Sequence, residues 1–468
     1  MKFRSVMLSL ILAFHGLAVH ANEPPAPIAR KAGLITPIDW EKFKCLPTTS
    51  DAAERFGKIL LNANKYALTV WWTNKGFNQT RSDGYLDFKG TAEKDIRPAA
   101  SEAQGLAISL RLGLYHSKAT GVSAPDAEKR VVQLVRSMVH RHRANSTNGW
   151  GSAWQSPAWA AYTDMAGWLL WDKLDNITRS DLVQMTESEA AWVMTNKGES
   201  KIKTYRDRAG KIISPGDTGM EENAWDASLL VAATAMMPHH PQYSRWMNKA
   251  VALWLSSQAR PSDVNRTNLY HGKSLAEWLP GSNMNEDGTC VNHDRIHPDY
   301  MIAGLCEFSP IGFYGLAGRP LPAAAVFNLE LPYRALADLW FVAGTEKAGR
   351  MVLSPGGTIF KPDSADVYCP QGNDWGTSQR DHFAYADAVI AALGEDAALK
   401  QRAANWEIKH SEQVLEMQAR FTDGHTYGAL SELNWHTREE YVAVSSANAY
   451  LLKWLVAQTP PVMTNEPF

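Results

Sequence analysis

Residues 51–73, DAAERFGKILLNANKYALTVWWT, place apolar side chains at Ala52, Phe56, Ile59, Leu60, Ala63, Tyr66 and Ala67. Steps of three and four put these positions on one face of an α-helix. The same period returns in Val131, Val132, Leu134, Val135 and Met138. Working outward, helical segments are predicted over roughly 51–73, 97–117, 125–144, 157–175, 179–196, 219–236, 241–258, 298–317, 323–343, 378–393, 396–419 and 435–456. Alternating strand patterns are scarce and short, as at Lys201 to Tyr205. The fold class is therefore all-α. Twelve helices joined mainly by short links read as six helical hairpins, and no 34- or 40-residue repeat suggests a solenoid. The expectation is a closed (α/α)6 or (α/α)7 toroid. It forms a single domain over 22–468 with no room for a β-sandwich after the last helix.

The chain has 468 residues, and Lys+Arg 47 against Asp+Glu 49 leaves a net charge of −2. No basic field argues for nucleic acid. The composition does stand out in its 18 Trp. Indole is hard to bury completely, and its faces stack on pyranose rings, which turns attention to carbohydrate. Residues 1–21 read as a secretory signal: Lys2 and Arg4, an apolar core from Val6 to Leu17, then Val19-His20-Ala21 at the cleavage positions. A periplasmic or secreted protein is expected, with no membrane association after cleavage. Cys45, Cys290, Cys306 and Cys369 permit one or two bridges in an oxidising compartment, and Cys306 reads as a buried thiol. Oligomeric state is not legible.

Two connections, 259–297 and 354–377, are too long and polar to be simple turns. The first ends in Asn292-His293-Asp294-Arg295-Ile296-His297-Pro298-Asp299-Tyr300. Pro298 suits the first position of a helix, so His293, Arg295, His297 and Tyr300 gather at a positive helix end that favours anions. Arg295 and that dipole are expected to favour the phenolate of Tyr300. A zinc reading of His293 and His297 is disfavoured, because Pro298 starts the helix after both and they share no helical face. No metal and no cofactor are expected.

A second constellation is Thr218-Gly219-Met220-Glu221-Glu222-Asn223-Ala224-Trp225-Asp226. Thr218 and Glu221 match a capping box. Asn223 is an amide inside a helix and needs a partner, which a substrate carboxylate would supply, with Glu222 and Trp225 beside it. A third contains Trp150, Trp154 and Trp159 downstream of His140, Arg141, His142 and Arg143, a pairing of indole and charge suited to an acidic sugar chain. A fourth, Gln371-Gly372-Asn373-Asp374-Trp375-Gly376, offers Asp374 and Trp375 as a further cleft wall.

An Asn on one helix, then a His and a Tyr close together with Arg nearby, on an all-helical toroid-like pattern, resembles the helical-toroid polysaccharide lyases. That group includes alginate, glucuronan and chondroitin AC-type lyases. The resemblance implies β-elimination on uronate-containing chains, with Asn223 neutralising the carboxylate, Tyr300 and His293 as base and acid, and Arg295 in support. Glu222, Trp225, His297, Trp150, Trp154, Asp374 and Trp375 are expected to line the substrate path, and an acidic polysaccharide is the expected partner. The missing β-sandwich departs from the chondroitin AC-type members and points to the smaller alginate or glucuronan type. A glycoside hydrolase on the same toroid is the alternative; it needs two carboxyl groups, for which Glu222, Asp226, Glu286, Asp374 and Asp217 are candidates. A noncatalytic glycan-binding protein is a third reading, for which Trp and Arg suffice.

Overall fold

The computed structural model describes residues 31–44, 50–79, 81–306, 310–343, 346–347, 350–351, 356–376 and 379–468. The expected signal 1–21, Cys45 and the side chain of Cys306 lie outside them. Twelve α-helices of seven or more residues occur among the described residues. They are α1 (Asp51–Tyr66), α2 (Glu93–Arg111), α3 (Ala124–His140), α4 (Ser156–Leu169), α5 (Asn176–Met194), α6 (Met220–Met236), α7 (Tyr243–Ser257), α8 (Pro310–Leu316), α9 (Glu330–Ala337), α10 (Arg380–Leu393), α11 (Ala397–Ala419) and α12 (Arg438–Gln458). Among the described residues strands are limited to two-residue pairs, so the architecture is predominantly helical. No helix among the described residues is long and apolar enough to cross a membrane.

The helices are of two kinds, and the kinds alternate along the chain. The odd-numbered long helices are amphipathic: α1 buries Phe56, Ile59, Leu60 and Ala63 and exposes its other face. Several begin at an exposed cap. Ser50, Ser123, Asp175 and Asp396 each accept a main-chain N–H from the first turn of α1, α3, α5 and α11. The even-numbered helices are buried nearly all round; every residue of α4 from Ser156 to Leu169 is buried. Their sequences carry Ala, Ser and Gly, which let backbones approach closely. A Cβ added at Gly105 on α2 would lie 3.1 Å from the Cβ of Ala443 on α12, and one at Gly312 on α8 would lie 3.1 Å from Leu451. In space α2 packs on α4, α4 on α6, α6 on α8 and α8 on α12, while α10 packs on α12 and α12 on α2.

Two predicted helices fail. The segment expected over 298–317 breaks into Pro298–Met301, Ala303–Cys306 and α8, which restarts at Pro310, a residue that cannot continue a preceding helix. The segment expected over 323–343 contracts to a 3-10 turn, Ala323–Val326, and α9. Asn328 between them is left-handed, with φ 53°. The polar 259–297 connection folds into short antiparallel pairs, with Arg206–Asp207 on Gly281–Ser282 and Val291–Asn292 on Arg295–Ile296. These pairs deliver the residues of the candidate site.

Candidate functional site

Pairing of Asn292 with Arg295 leaves His293 and Asp294 as the two central residues of a tight hairpin. Both are left-handed, with φ 49° and 56°, the conformation of a two-residue turn that usually carries Asn-Gly. Holding non-glycine residues there costs about 1–2 kcal/mol each, and the neighbours hold them. The Asp294 amide donates to the Gly216 carbonyl at 2.9 Å, and the His293 amide donates to its neighbour Asn292 Oδ1 at 2.7 Å. Gly216 is itself left-handed, with φ 82°, and a Cβ there would fall 2.0 Å from Asp294 Oδ1, so another residue would be strained and would displace the Asp294 side chain. His293 is thereby carried at the hairpin tip.

The tip meets the polar loop of Asp374. Asp374 Oδ2 accepts from His293 Nδ1 at 2.8 Å, and Oδ1 lies 3.3 Å from His297 Nε2. In the tautomer that keeps the ring proton on Nδ1, hydrogen-bonded to Asp374, His293 carries its lone pair on Nε2. The Tyr300 hydroxyl lies 3.1 Å from that atom and donates to it. Asp374, His293 and Tyr300 thus form one hydrogen-bonded chain. Arg295 stands behind it, its Nε donating to the His293 carbonyl at 3.2 Å and its guanidinium 3.8 Å from Asp374. His297 is fully buried beneath, with its ring centroid 4.9 Å from Tyr300 and 5.2 Å from Trp375.

His293 and Tyr300 line a cavity of about 240 Å³ whose walls include Trp154, Trp225, Trp375 and Trp435. Trp154 and Trp225 meet edge to face at 5.7 Å, and Trp375 stacks on Trp435 at 6.3 Å. Arg97, only 3% exposed, also lines the cavity. Its guanidinium donates to Gln155 at 2.9 Å and Glu93 at 3.0 Å, and it lies 4.6 Å from the Trp435 ring centre and 4.8 Å from that of Tyr441. Glu221, His382, Gln379 and His436 also face this space. None of Arg97, Glu221, Gln379, His436 or Trp435 was among the residues singled out for the site from sequence. Arg97, Ser101 and Gln104 form a polar stripe at helical spacing within the otherwise buried α2, and that stripe was the available signal.

Several expectations need correction. Asn223 is 1% exposed, and its amide is clasped to the main chain of Lys203, accepting from its N–H at 2.8 Å and donating to its carbonyl at 3.1 Å. Trp150 is 1% exposed and donates to the Met138 carbonyl, so it is core rather than a stacking surface. Three of the four basic residues upstream are engaged in the structure: His142 is buried against Glu189 at 3.0 Å, His140 stacks on Tyr85, and Arg141 pairs with Asp83, while Arg143 is exposed. Glu222 accepts from Trp154 Nε1 at 2.7 Å and pairs with Lys203 at 3.4 Å, which makes it a support behind Trp154. The capping box fails as well, because α6 begins after a left-handed Gly219 with no side-chain cap, and Glu221 turns toward the cavity.

The electrostatics of Tyr300 also depart from expectation. The helix at Pro298 is one turn long and has little dipole, and Arg295 is engaged with Asp374. Burial, with the carboxylates of Asp217, Asp299 and Asp374 adding to it, pushes the phenol above its usual value. Hydrogen bonding to His297, with His293 adding to it, holds Asp374 well below the usual carboxylate range. Tyr300 is thus a proton donor at rest, and Asp374 is ionised. His293, His297 and Asp374 bring one ligand atom each within 4.8 Å of one another, a set that could take a divalent cation although the two imidazoles share no helix. No protein-family model matches the chain, and no curated protein matches it in sequence.

Proposed function

We propose that this chain is an exported lyase of the helical-toroid type that cleaves uronate-containing polysaccharide by β-elimination, without a cofactor. The observation that carries the reading is the Asp374–His293–Tyr300 hydrogen-bonded chain at a cavity walled by indole rings. The helix neighbours support a toroid. The buried helices meet one another from α2 through α8 and from α10 through α12 back to α2, and each follows an amphipathic helix in the chain.

In this mechanism His293 Nε2 removes the proton at C5 of the uronate. The C–H electrons become the C4–C5 double bond, the C4–O4 bond breaks, and Tyr300 protonates the departing oxygen. Asp374 keeps the imidazole oriented and stabilises the imidazolium that forms. The proton on His293 then returns to Tyr300 across their 3.1 Å contact, so the pair resets without another group. Base and acid lie on one side of the sugar, as a syn elimination needs.

The test is ultraviolet absorbance across alginate, glucuronan, hyaluronan, chondroitin and heparan-type chains. Elimination leaves a conjugated unsaturated uronate that absorbs, and hydrolysis does not. New reducing ends without absorbance would replace this reading with the hydrolase, and binding without cleavage would replace it with a glycan-binding protein.

A further inference from the structure

Glu221 and Trp225 are one turn apart on α6, and both line the cavity that holds His293 and Tyr300. The Glu221 side chain is 3% exposed. Its Oε1 accepts from Asn292 Nδ2 at 2.7 Å, while Oε2 is buried with no hydrogen-bond partner among the described residues. A buried polar atom left without a partner beside a cavity marks a place where a ligand atom completes the bonding. The charged neighbours that act on Glu221 are the carboxylates of Asp217 and Glu222. Ionised, Glu221 would be an uncompensated buried anion, so the neutral acid is the form that suits the site. Burial, with those carboxylates adding to it, accordingly raises its carboxyl well above the usual range. As a neutral acid it accepts from Asn292 at one oxygen and has an O–H to give at the other.

We propose that Glu221 receives the carboxylate of the substrate sugar by donating an O–H···O⁻ hydrogen bond. This deepens the uronate reading and rests on it. It assigns to Glu221 the neutralising role expected of Asn223, whose amide is held by Lys203. Hydrogen bonds to an ionised partner are short and strong, and this one tightens as enolate charge builds on the same carboxylate. The proton stays with Glu221 throughout, so no net transfer is required of it. Glutamine preserves both functions, because its amide donates to the substrate and its carbonyl accepts from Asn292.

The experiment compares the parent, Glu221→Gln and Glu221→Ala on alginate and glucuronan oligosaccharides and on their methyl esters. Turnover is read by unsaturated product and affinity by calorimetry. Glu221→Gln should stay within about tenfold of the parent, and Glu221→Ala should lose about a hundredfold or more in turnover. The Ala variant should also lose most of the parent's preference for acid over ester. Equal inactivity of Gln and Ala, or an acid-over-ester preference that Ala leaves unchanged, overturns the proposal. Should Glu221→Ala fail to fold, the Gln variant decides alone: retained turnover with retained acid preference supports it, and loss of either overturns it. If the parent forms no unsaturated product, the lyase reading falls. The calorimetric preference of parent and variants still tests Glu221 separately.

Discussion

Tyr300 is in contact at once with His293, His297 and Trp375, its ring centroid lying 5.2, 4.9 and 5.1 Å from theirs. Those contacts belong to the ring, and the hydrogen bond to His293 belongs to the hydroxyl. Tyr300→Phe keeps the first and removes the second. Turnover should fall by at least about a hundredfold while the melting temperature stays close to that of the parent, since general acid–base groups contribute on that scale. Substrate affinity should persist through Trp225 and Trp375. Steady-state kinetics alongside thermal unfolding checks this, and a fully active variant would end the role given to the phenol. The His293, Asp294 turn was not foreseen from the residues: left-handed His-Asp is an uncommon substitute for Asn-Gly, and Gly216 lies far away in sequence.

Elements explain how those residues are held. The 259–297 segment reaches the site through a pairing in which Gly281 lies against the backbone of Arg206. A Cβ at Gly281 would fall 1.9 Å from the Arg206 carbonyl oxygen, a main-chain atom that cannot swing aside. Gly281→Ala should therefore force the strands apart and lower stability by about 1–3 kcal/mol, the usual range for overpacking. Turnover should drop with it, because the same segment carries His293 and His297 and leads directly into the Pro298–Met301 turn that holds Tyr300. Urea unfolding with parallel kinetics measures both, and an unperturbed midpoint would show that the pairing yields easily. The long amphipathic helices were legible from their own apolar period; the starts of α1, α3 and α11 behind Ser50, Ser123 and Asp396 fell within one residue, while α5 begins behind Asp175 three residues before the expected 179. The stretch from 298 to 343 was not: its apolar residues continue past Pro310 and Asn328, whose backbone demands cut the helix while the pattern runs on.

At the scale of the molecule, the close packing of the even-numbered helices takes acidic groups out of water. Burial pushes Asp226 up to about 8 and Glu439 up to about 7. Above about pH 6.5 an unfolded chain has its carboxyls ionised and its imidazoles largely neutral. Native Asp226 and Glu439 still hold protons there, so the native state binds more protons than the unfolded state and stability falls as pH rises toward 8. The slope is at most about 1.4 kcal/mol per pH unit for each group. Carboxyls held low, such as Asp374, are ionised in both states across this window and add nothing to the slope. Lys249, drawn down to about 8 by burial, works in the opposite sense as pH passes that value. Denaturant unfolding at pH 6.5 and pH 8 checks the sign, and a rise in stability between them would refute it.

Local pattern reaches as far as secondary structure and the residue types that gather in polar loops. Helical periodicity, caps and the scarcity of alternating runs led to a mainly helical chain. Polar loops dense in His, Tyr, Asp and Trp led to His293, His297, Tyr300, Asp374 and Trp375 as residues of one site. Tertiary structure decided which partners each residue meets. Arg97 on α2 comes against Trp435, far along the chain, and Glu221 reaches Asn292 across from α6. Asn223, so similar in kind to a ligand donor, is used up on Lys203, and Trp150 is used up in the core. A side chain's type sets what it can bond to. Burial and the neighbour that arrives first in space set what it does bond to, and those are properties of contacts between distant segments that no local spacing encodes.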